Sequence, residues 1–317
     1  MTEKMLDETK RSFLQRVARE GIRVIGERKL PYGSQYLLES DRYELVKVNF
    51  YQSKKGLSFV ISDQTTSISG PLNTICTELI MGSDIIKEWY VGTDESGKGD
   101  YFGPLAAAAF ISDEKTDRIL LEEGIRDSKK IADQEIRNYA EYLLTNYKDC
   151  CVICSLEPKV YNQLYSSYLV EGKRSDQILA TAHGQIICAA LQKRPELSLI
   201  ITDQFADEEK IRASIAFYEG GKTNGGNEDA QIPKLKIVPH AEKYAAVAAA
   251  SILARNEYLK WMEQASDQLG MILPKGCGND VKHQAELLLD KVGRSALPEY
   301  AKIHFRTTNE IMKRYCR

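Results

Sequence analysis

Two adjacent carboxylates stand at the end of an apolar segment, and a glycine-rich turn follows them directly. Asp94 and Glu95 come after the apolar residues 89–91, and the turn at 96–99 leads into a second apolar segment over 104–111. The apolar segments predict two strands joined by a tight turn. Carboxylates about 4 Å apart repel each other by about 4 kcal/mol at an effective dielectric constant of about 20. Because a divalent cation relieves that repulsion, the pattern predicts a metal site at a strand end.

The same segment also comes close to a nucleotide-binding motif. Residues 92–99 read G-T-D-E-S-G-K-G, whereas a phosphate-binding loop reads G-x-x-x-x-G-K-[ST]. Position 99 is Gly, so the hydroxyl that would bind the metal is absent, and Asp94 and Glu95 would bring negative charge into a phosphate cradle. These differences favour the metal interpretation. A surface turn whose acids have no special role stays open as an alternative.

The length of the chain allows one large domain or, more often, two, and its composition is sufficient for substantial cores. The chain has 317 residues, 43% of them hydrophobic, and a net charge of −2, so any nucleic-acid binding must come from local patches. No apolar run reaches the ~18 residues of a membrane span, and residues 1–10 lack the apolar part of a secretion signal. Seven cysteines without framework spacing fit a reducing compartment. We therefore expect a cytoplasmic protein with no membrane partner.

The first 82 residues predict a small α+β unit. An amphipathic helical region over 1–29 precedes three short strands at 35–38, 43–51 and 57–62, and a second helix opens at Ser69 and continues to Ile80. Residues 81–84 predict a linker. The basic helix and the aromatic strands could bind a nucleic-acid backbone, although a solvated helix face and ordinary core aromatics would give the same pattern.

From residue 83 onward, strand and helix patterns alternate, which predicts a mixed sheet with helices on both faces. Asp203 ends the apolar strand 197–203, and Glu242 precedes the small-residue helix that begins near 245. The carboxyl ends of strands in such sheets are where sites form. Together with Asp94 and Glu95 these acids would suit two metal ions about 3.5–4 Å apart. The predicted strands are 88–94, 104–112, 150–156, 197–203 and 234–239; the predicted helices are 131–147, 158–166, 176–193, 243–267, 280–292 and 297–314.

Five segments together resemble ribonuclease HIII, a type 2 ribonuclease H of bacteria. They are D-E-S-G-K-G-D-Y-F-G-P-L, D-S-K-K at 127–130, the strand end at Asp203, A-E-K-Y-A-A-V-A-A-A-S-I-L-A-R, and L-P-K-G-C-G at 273–278. The resemblance covers about 85–317, and the first 80 residues more loosely resemble that family's N-terminal domain, which is shaped like the TATA-binding protein. It implies an α/β fold: a ribonuclease H-like mixed sheet flanked by helices, with a hybrid-binding domain at 1–82 and a catalytic domain at 83–317.

The resemblance also implies roles for individual residues. Catalytic and metal-binding roles would fall to Asp94, Glu95, Asp203 and Glu242. Substrate contacts would come from Ser96, Gly97, Lys98, Gly99, Lys129, Lys130 and Lys275, the turn presenting its backbone to the 2′-hydroxyl and the last three lysines contacting phosphates. The related ribonucleases HII carry G-R-G and an Asp as the fourth acid; here the turn is G-K-G and the acid is a Glu offset by one residue, and both features favour type HIII. Either the extra methylene of Glu242 absorbs this offset, or His240 shares the metal-binding role.

The implied activity is hydrolysis of the RNA strand of RNA/DNA hybrids by a monomer that uses Mg²⁺, with Mn²⁺ as a substitute. The products would carry 5′-phosphate and 3′-hydroxyl ends. Two other activities remain open at this point. One is incision at single ribonucleotides embedded in duplex DNA, the habit of ribonuclease HII. The other is a hybrid-binding protein that does not cut.

Overall fold

The computed structural model describes residues 2–53, 56–81, 86–125, 131–173, 175–204, 207–220 and 233–315. The chain forms two compact units. The first comprises Met1–Ile86 and Glu114–Ile125, and the second comprises Lys87–Asp113 and Arg126–Arg317. Within the described ranges, none of the helices combines the length and the apolar character that crossing a membrane requires.

The first unit is a four-stranded antiparallel sheet whose one face is covered by helices. Phe13 of the first helix packs against Tyr36 and Phe50 of the sheet, and these rings are buried. The sheet order is β1-β2-β3-β4. The elements are α1 (Thr2–Arg19), β1 (Arg23–Leu30), β2 (Gly33–Glu39), β3 (Leu45–Ser53), β4 (Gly56–Ile61), α2 (Ser69–Met81) and α3 (Glu114–Glu122).

The prediction of a helical region over 1–29 is wrong in its last part, which forms strand β1. The helix ends at Arg19, and Gly21 turns the chain with a φ of 72°, a conformation that glycine adopts without strain. Its N–H donates to the carbonyl of Ala18, which closes the helix end. The residues that follow include β-branched Val24 and Ile25 and pair with β2 as a strand. Helix α2 begins at Ser69, as predicted.

The second unit contains the predicted mixed sheet flanked by helices. Its order is β7-β6-β5-β8-β9; β7, β6 and β5 pair antiparallel, whereas β5, β8 and β9 pair parallel. The strands are β5 (Tyr90–Ser96), β6 (Leu105–Ser112), β7 (Cys151–Leu156), β8 (Leu199–Thr202) and β9 (Lys234–Ile237). The helices are α4 (Asp133–Asn146), α5 (Pro158–Val170), α6 (Ser175–Lys193), α7 (Glu208–Gly220), α8 (Ala245–Leu269), α9 (Asn279–Val292), α10 (Leu297–Tyr300) and α11 (Arg306–Tyr315).

The small residues at the start of α8 allow this helix to lie directly on β5. A Cβ atom added to Gly92 would lie 2.4 Å from the amide nitrogen of Val247, so only a glycine fits at this crossing. The amide of Ala246 donates to the hydroxyl of Tyr90, 3.3 Å away. This contact fixes the start of α8 at the level of the sheet.

The prediction of one helix over 297–314 is wrong in the middle of that range, where an extended segment separates two helices. Ala301 forms a β-bridge with Phe102, and the amide of Lys302 donates to the carbonyl of Tyr101. The local sequence is compatible with a helix, but these backbone hydrogen bonds with a distant loop hold the segment extended. The helix therefore resumes only at Arg306.

Candidate metal centre at the sheet edge

The register of β5 and β8 brings two of the predicted acids to one edge of the sheet. Thr93 lies opposite Thr202 in this parallel pair. Asp94 follows Thr93 within β5, and Asp203 is the first residue after β8, so the two acids leave neighbouring strands at the same level. Asp94 is only 9% exposed, and its Oδ1 accepts a hydrogen bond from the amide of Glu95 at 2.8 Å.

Glu242 reaches the same edge from the neighbouring strand β9. The chain continues parallel to β8 as far as Val238, whose amide donates to the carbonyl of Thr202. It then turns through His240, which has a left-handed φ of 57°, into a single 3₁₀ turn that contains Glu242 and leads into α8. The Glu242 side chain is 16% exposed, and its Oε1 lies 3.4 Å from Nδ1 of His240. The predicted position of Glu242 at a helix start near the sheet is therefore correct.

The side chains of these acids do not form a closed ion cage. Within the described ranges, no three His, Cys, Asp or Glu side chains are grouped so as to hold a metal ion. The two glutamates are instead turned toward nitrogen atoms: Glu242 toward His240, and Glu95 toward Lys98 and His183. Like-charged carboxylates repel one another, so each takes the nearest donor. Their chemistry nevertheless fits Mg²⁺ or Mn²⁺, which prefer oxygen ligands at such sites.

A buried histidine that was not among the predicted site residues contacts Glu95 from the neighbouring helix α6. His183 of α6 is fully buried, and its Nε2 lies 3.2 Å from Oε2 of Glu95. Its Nδ1 lies 3.0 Å from the hydroxyl of Thr93. The available signal was a single histidine inside the apolar helical segment I-L-A-T-A-H-G-Q-I-I. That pattern indicates a buried ring but not what the ring contacts.

The glycine-rich turn combines one glycine that the fold requires with one that has open space. Gly97 has a φ of 86°, and a Cβ there would lie 2.0 Å from the carbonyl oxygen of Pro104. Gly99 has no atom within 4 Å of an added Cβ. Between them, Lys98 is 55% exposed, and its Nζ lies 3.8 Å from Oε1 of Glu95. Packing explains Gly97, whereas the exposed Gly99 leaves room for a ligand to approach the backbone.

The predicted phosphate-binding lysines divide between described and undescribed parts of the chain. Lys129 and Lys130 lie outside the described residues. Lys275 is 47% exposed and is ion-paired with Asp133, which also binds Arg255 at 2.7 Å. Burial opposes ionisation of Asp133, but its hydrogen bonds with Lys275 and Arg255 outweigh that effect and lower the pKa of the carboxyl.

The loop that carries Lys275 is joined to the residues after the glycine-rich turn. The amide of Gly276 donates to Oδ1 of Asp100 at 2.5 Å, and its carbonyl accepts from the amide of Tyr101 at 2.8 Å. The amide and the carbonyl of Gly276 are thus bound by two consecutive residues, Asp100 and Tyr101. The loop over 273–278 and the turn over 97–101 therefore form one continuous backbone surface.

Comparison with known proteins identifies the family. The family model described as Ribonuclease HII matches residues 91–308, which is more than half of the chain. The chain belongs to the ribonuclease HII/HIII family. Ribonuclease HIII of Bacillus mycoides is 33% identical over 228 residues, which are 70% of this chain and 68% of the relative. Ribonuclease HIII of Bacillus cereus is 32% identical over the same length. The chain is thus a ribonuclease of the H type, a phosphodiester hydrolase.

Solved structures agree with this assignment at the level of the fold. A mutant protein of Bst-RNase HIII has a TM-score of 0.64 at 24% identity, with 96% of each chain covered. Bst-RNase HIII in complex with Mn²⁺ has a TM-score of 0.63 at 24% identity, with 95% of this chain and 94% of that chain covered. Because both matches span nearly the whole chain, the ribonuclease HIII architecture includes the N-terminal antiparallel sheet. The expected fold class is confirmed.

Proposed function

We propose that this ribonuclease cleaves the RNA strand of RNA/DNA hybrids at the sheet edge formed by β5, β8 and β9. The observation that supports this most directly is the Thr93–Thr202 register, since it places Asp94 and Asp203 on neighbouring strand ends. Glu95 and Glu242 complete a set of four oxygen-donor side chains. These four residues are proposed as the ligands of Mg²⁺, with Mn²⁺ as a substitute.

In the proposed mechanism each part of the site has a separate task. Two divalent cations, when bound, lower the pKa of the attacking water and stabilise the departing oxygen. Asp94 and Asp203 hold their carboxylates on the ends of paired strands, so the backbone fixes their separation. The scissile phosphate would lie against the turn over 96–99, where Ser96, Lys98 and the open backbone at Gly99 face the ribose. Cleavage would leave 5′-phosphate and 3′-hydroxyl ends.

Recognition of RNA is proposed to rest on the backbone surface that the turn and the 273–278 loop share. A 2′-hydroxyl both donates and accepts a hydrogen bond, and this group distinguishes RNA from DNA. The chain can approach a sugar closely at Gly99 because no side chain intervenes there. Lys275, Lys129 and Lys130 are proposed to bind phosphates on either side. Lys275 would exchange its partner Asp133 for a phosphate oxygen when the hybrid binds.

The first unit is proposed to bind the hybrid through the sheet face that its helices leave uncovered. Lys47 and Leu45 are exposed on β3, whereas the alternate residues Val46 and Val48 are buried in the core. Gln35 and Asn49 are joined across this open face by a hydrogen bond of 2.8 Å. The lysine and the amide side chains on this face suit contacts with a nucleic-acid backbone. The proposed domains are 1–82 for hybrid binding and 83–317 for catalysis, in a monomeric cytoplasmic enzyme.

A labelled RNA/DNA hybrid tests the proposal. We expect cleavage of the RNA strand in Mg²⁺, cleavage in Mn²⁺ as well, and none in EDTA. Duplex RNA and duplex DNA serve as controls and should stay intact. Cleavage that continues in EDTA, or that consumes duplex RNA equally well, would rule the proposal out.

Two further substrates separate the alternatives. A DNA duplex that carries one embedded ribonucleotide should be cut poorly in Mg²⁺ if long hybrids are the substrate; efficient incision there would favour a ribonuclease HII-like activity. A protein that binds hybrids but cuts neither substrate would be a binding protein. Sedimentation of the protein with and without hybrid would show whether it is a monomer.

A further inference from the structure

His183 contacts a proposed metal ligand without being placed to act as one itself. The imidazole is fully buried beneath β5, with Nε2 at 3.2 Å from Oε2 of Glu95 and Nδ1 at 3.0 Å from the hydroxyl of Thr93. Both partners belong to the same strand. Because residues two apart in a strand point to the same face, a single ring on α6 can bind both.

The two contacts define one arrangement of the hydrogens on the ring. A carboxylate accepts hydrogen bonds and donates none, so the hydrogen between His183 and Glu95 is on Nε2. In a neutral ring Nδ1 then accepts, and the Thr93 hydroxyl donates to it. The carboxylate of Glu95 thus sets the tautomer, and the Thr93 hydroxyl, which can donate or accept, donates to the remaining ring nitrogen. The polar relay runs in one direction, from Thr93 through His183 to Oε2 of Glu95.

The relay binds only one oxygen of the Glu95 carboxylate. The other oxygen, Oε1, lies toward the glycine-rich turn, 3.8 Å from the exposed ammonium of Lys98. A carboxylate bound through Oε2 has its second oxygen, Oε1, on the side of the glycine-rich turn. Outer hydrogen bonds of this kind orient metal ligands and strengthen metal binding.

We propose that His183 is a positioning residue, which holds Glu95 so that Oε1 is presented for metal binding, and that Thr93 in turn holds His183. The inference rests on the proposed function, since it takes Glu95 to be a metal ligand. It assigns His183 no contact with the substrate and no exchange of a proton. Its consequence is a loss of metal affinity, rather than a loss of affinity for the hybrid, when the relay is broken.

The sheet supplies a matched pair of substitutions for the test. Thr93 and Thr202 lie opposite each other on β5 and β8, and both are fully buried. The Thr93 hydroxyl binds His183, whereas within the described structure the Thr202 hydroxyl has no hydrogen-bond partner. Replacing either by Val keeps the β-branched shape. Thr93→Val removes the hydrogen bond between Thr93 and His183, and Thr202→Val removes a hydroxyl from the same layer of the sheet.

The experiment measures Mn²⁺ binding to the full-length protein by isothermal titration calorimetry, without substrate. His183→Phe should weaken Mn²⁺ binding by about 10- to 100-fold, which is the usual effect of losing such a contact. His183→Gln keeps an N–H donor for Glu95 and should recover part of the affinity. Thr93→Val should weaken Mn²⁺ binding severalfold, and Thr202→Val should leave it unchanged. The KM for the hybrid at saturating Mg²⁺ should be the same in all four variants.

The outcomes are distinguishable. Unchanged Mn²⁺ affinity in a folded His183→Phe protein would overturn the positioning role. If that variant does not fold, the comparison of Thr93→Val with Thr202→Val decides, and equal Mn²⁺ affinities would overturn the role. A wild-type protein that binds no Mn²⁺ at all would instead overturn the proposed function, and the positioning role with it.

Discussion

The ammonium group of Lys302 donates a hydrogen bond to the carbonyl oxygen of Gly103, 199 positions earlier in the chain. The lysine is fully buried, and burial lowers its pKa to about 7, although the negative charge of Asp100 acts in the opposite direction. The backbone around it is also paired, because the amide of Gly103 donates to the carbonyl of Tyr300. The extended segment between α10 and α11 therefore supports the loop that follows the glycine-rich turn.

Lys302 should make stability depend on pH. Its pKa in the folded protein lies below the ordinary value, so above pH 7 the unfolded chain binds more protons at this residue than the folded chain does. The free energy of unfolding should therefore rise with pH from about 7 toward the ordinary lysine pKa. Between about pH 7 and about pH 8.5 the gain from Lys302 should be about 1.5 kcal/mol.

Urea denaturation of the wild type and of Lys302→Met across this pH interval measures the effect. Methionine fills a similar volume but does not titrate, so the variant should lose this part of the pH dependence while carrying a constant penalty for the unpaired Gly103 carbonyl. The thiols and tyrosines, whose titration acts in the opposite direction, are the same in both proteins, so the difference between the two curves isolates the effect of Lys302. Parallel curves for the two proteins would contradict the shifted pKa.

The two glycines of the turn should respond differently to alanine. In Gly97→Ala the new methyl group would meet the Pro104 carbonyl at 2.0 Å in a left-handed backbone, so the free energy of unfolding should fall by about 2–4 kcal/mol. In Gly99→Ala the methyl group enters open space, and stability should change by less than about 1 kcal/mol.

Kinetic measurements then distinguish an effect on folding from an effect on substrate binding at these two glycines. Gly99→Ala should raise the KM for the RNA/DNA hybrid because its methyl group stands where the sugar is proposed to approach. Its dependence on Mg²⁺ concentration should stay that of the wild type. A Gly99→Ala enzyme with wild-type KM would show that the substrate does not approach this part of the backbone.

The sequence predicts structural features that depend on neighbouring residues better than those that depend on contacts between residues far apart in the chain. An apolar run that stops at an acid predicts a strand end, and this local pattern is enough to locate Asp94 and Asp203. The register that makes them neighbours is compatible with that pattern but is formed by pairing across more than one hundred residues. The break between α10 and α11 could not be predicted, since Ala301 is held by Phe102 rather than by its own neighbours.

Strand β1 and His183 show two other limits. Residues 23–29 mix basic and apolar side chains in an order that suits either an amphipathic helix or an exposed strand, and pairing with β2 decides between them. A histidine in an apolar helix is typical of a core residue. Its role becomes visible only when Glu95, 88 positions away, is found at its Nε2.

The metal centre should be sensitive to charge at one edge of the sheet and not at the other. Asp94→Asn should lower kcat roughly a thousandfold, because a neutral amide is a poor ligand for a divalent cation and metal ions contribute several kcal/mol to catalysis. Asp113→Asn is the matched control. Asp113 follows β6, whose pairing with β5 places it at the opposite edge. Hybrid binding in EDTA should be unchanged in both variants. Equal activity of the two would mean that Asp94 is not a metal ligand.

The hybrid-binding role of the first unit is best tested by point substitutions. Truncation at residue 82 would remove α2, against which α3 packs, and Asn73 of α2 donates a hydrogen bond to the carbonyl of Leu121 in α3. The truncated chain would therefore expose the buried Leu120, and its loss of binding could reflect misfolding. Charge reversal on the exposed face of the sheet avoids this problem.

Lys47→Glu should weaken binding of the hybrid by about tenfold in EDTA, where no cleavage occurs, since it replaces a phosphate-attracting charge with a repelling one. Arg11→Glu is the matched control, because Arg11 is exposed on α1, on the helix side of the same sheet. The affinity of the Lys47 variant should also fall less steeply with salt, as one phosphate contact fewer releases fewer counterions. Should Arg11→Glu prove the more damaging change, the nucleic acid would lie on the helices and not on the open sheet, and the basic helix would be the binding surface.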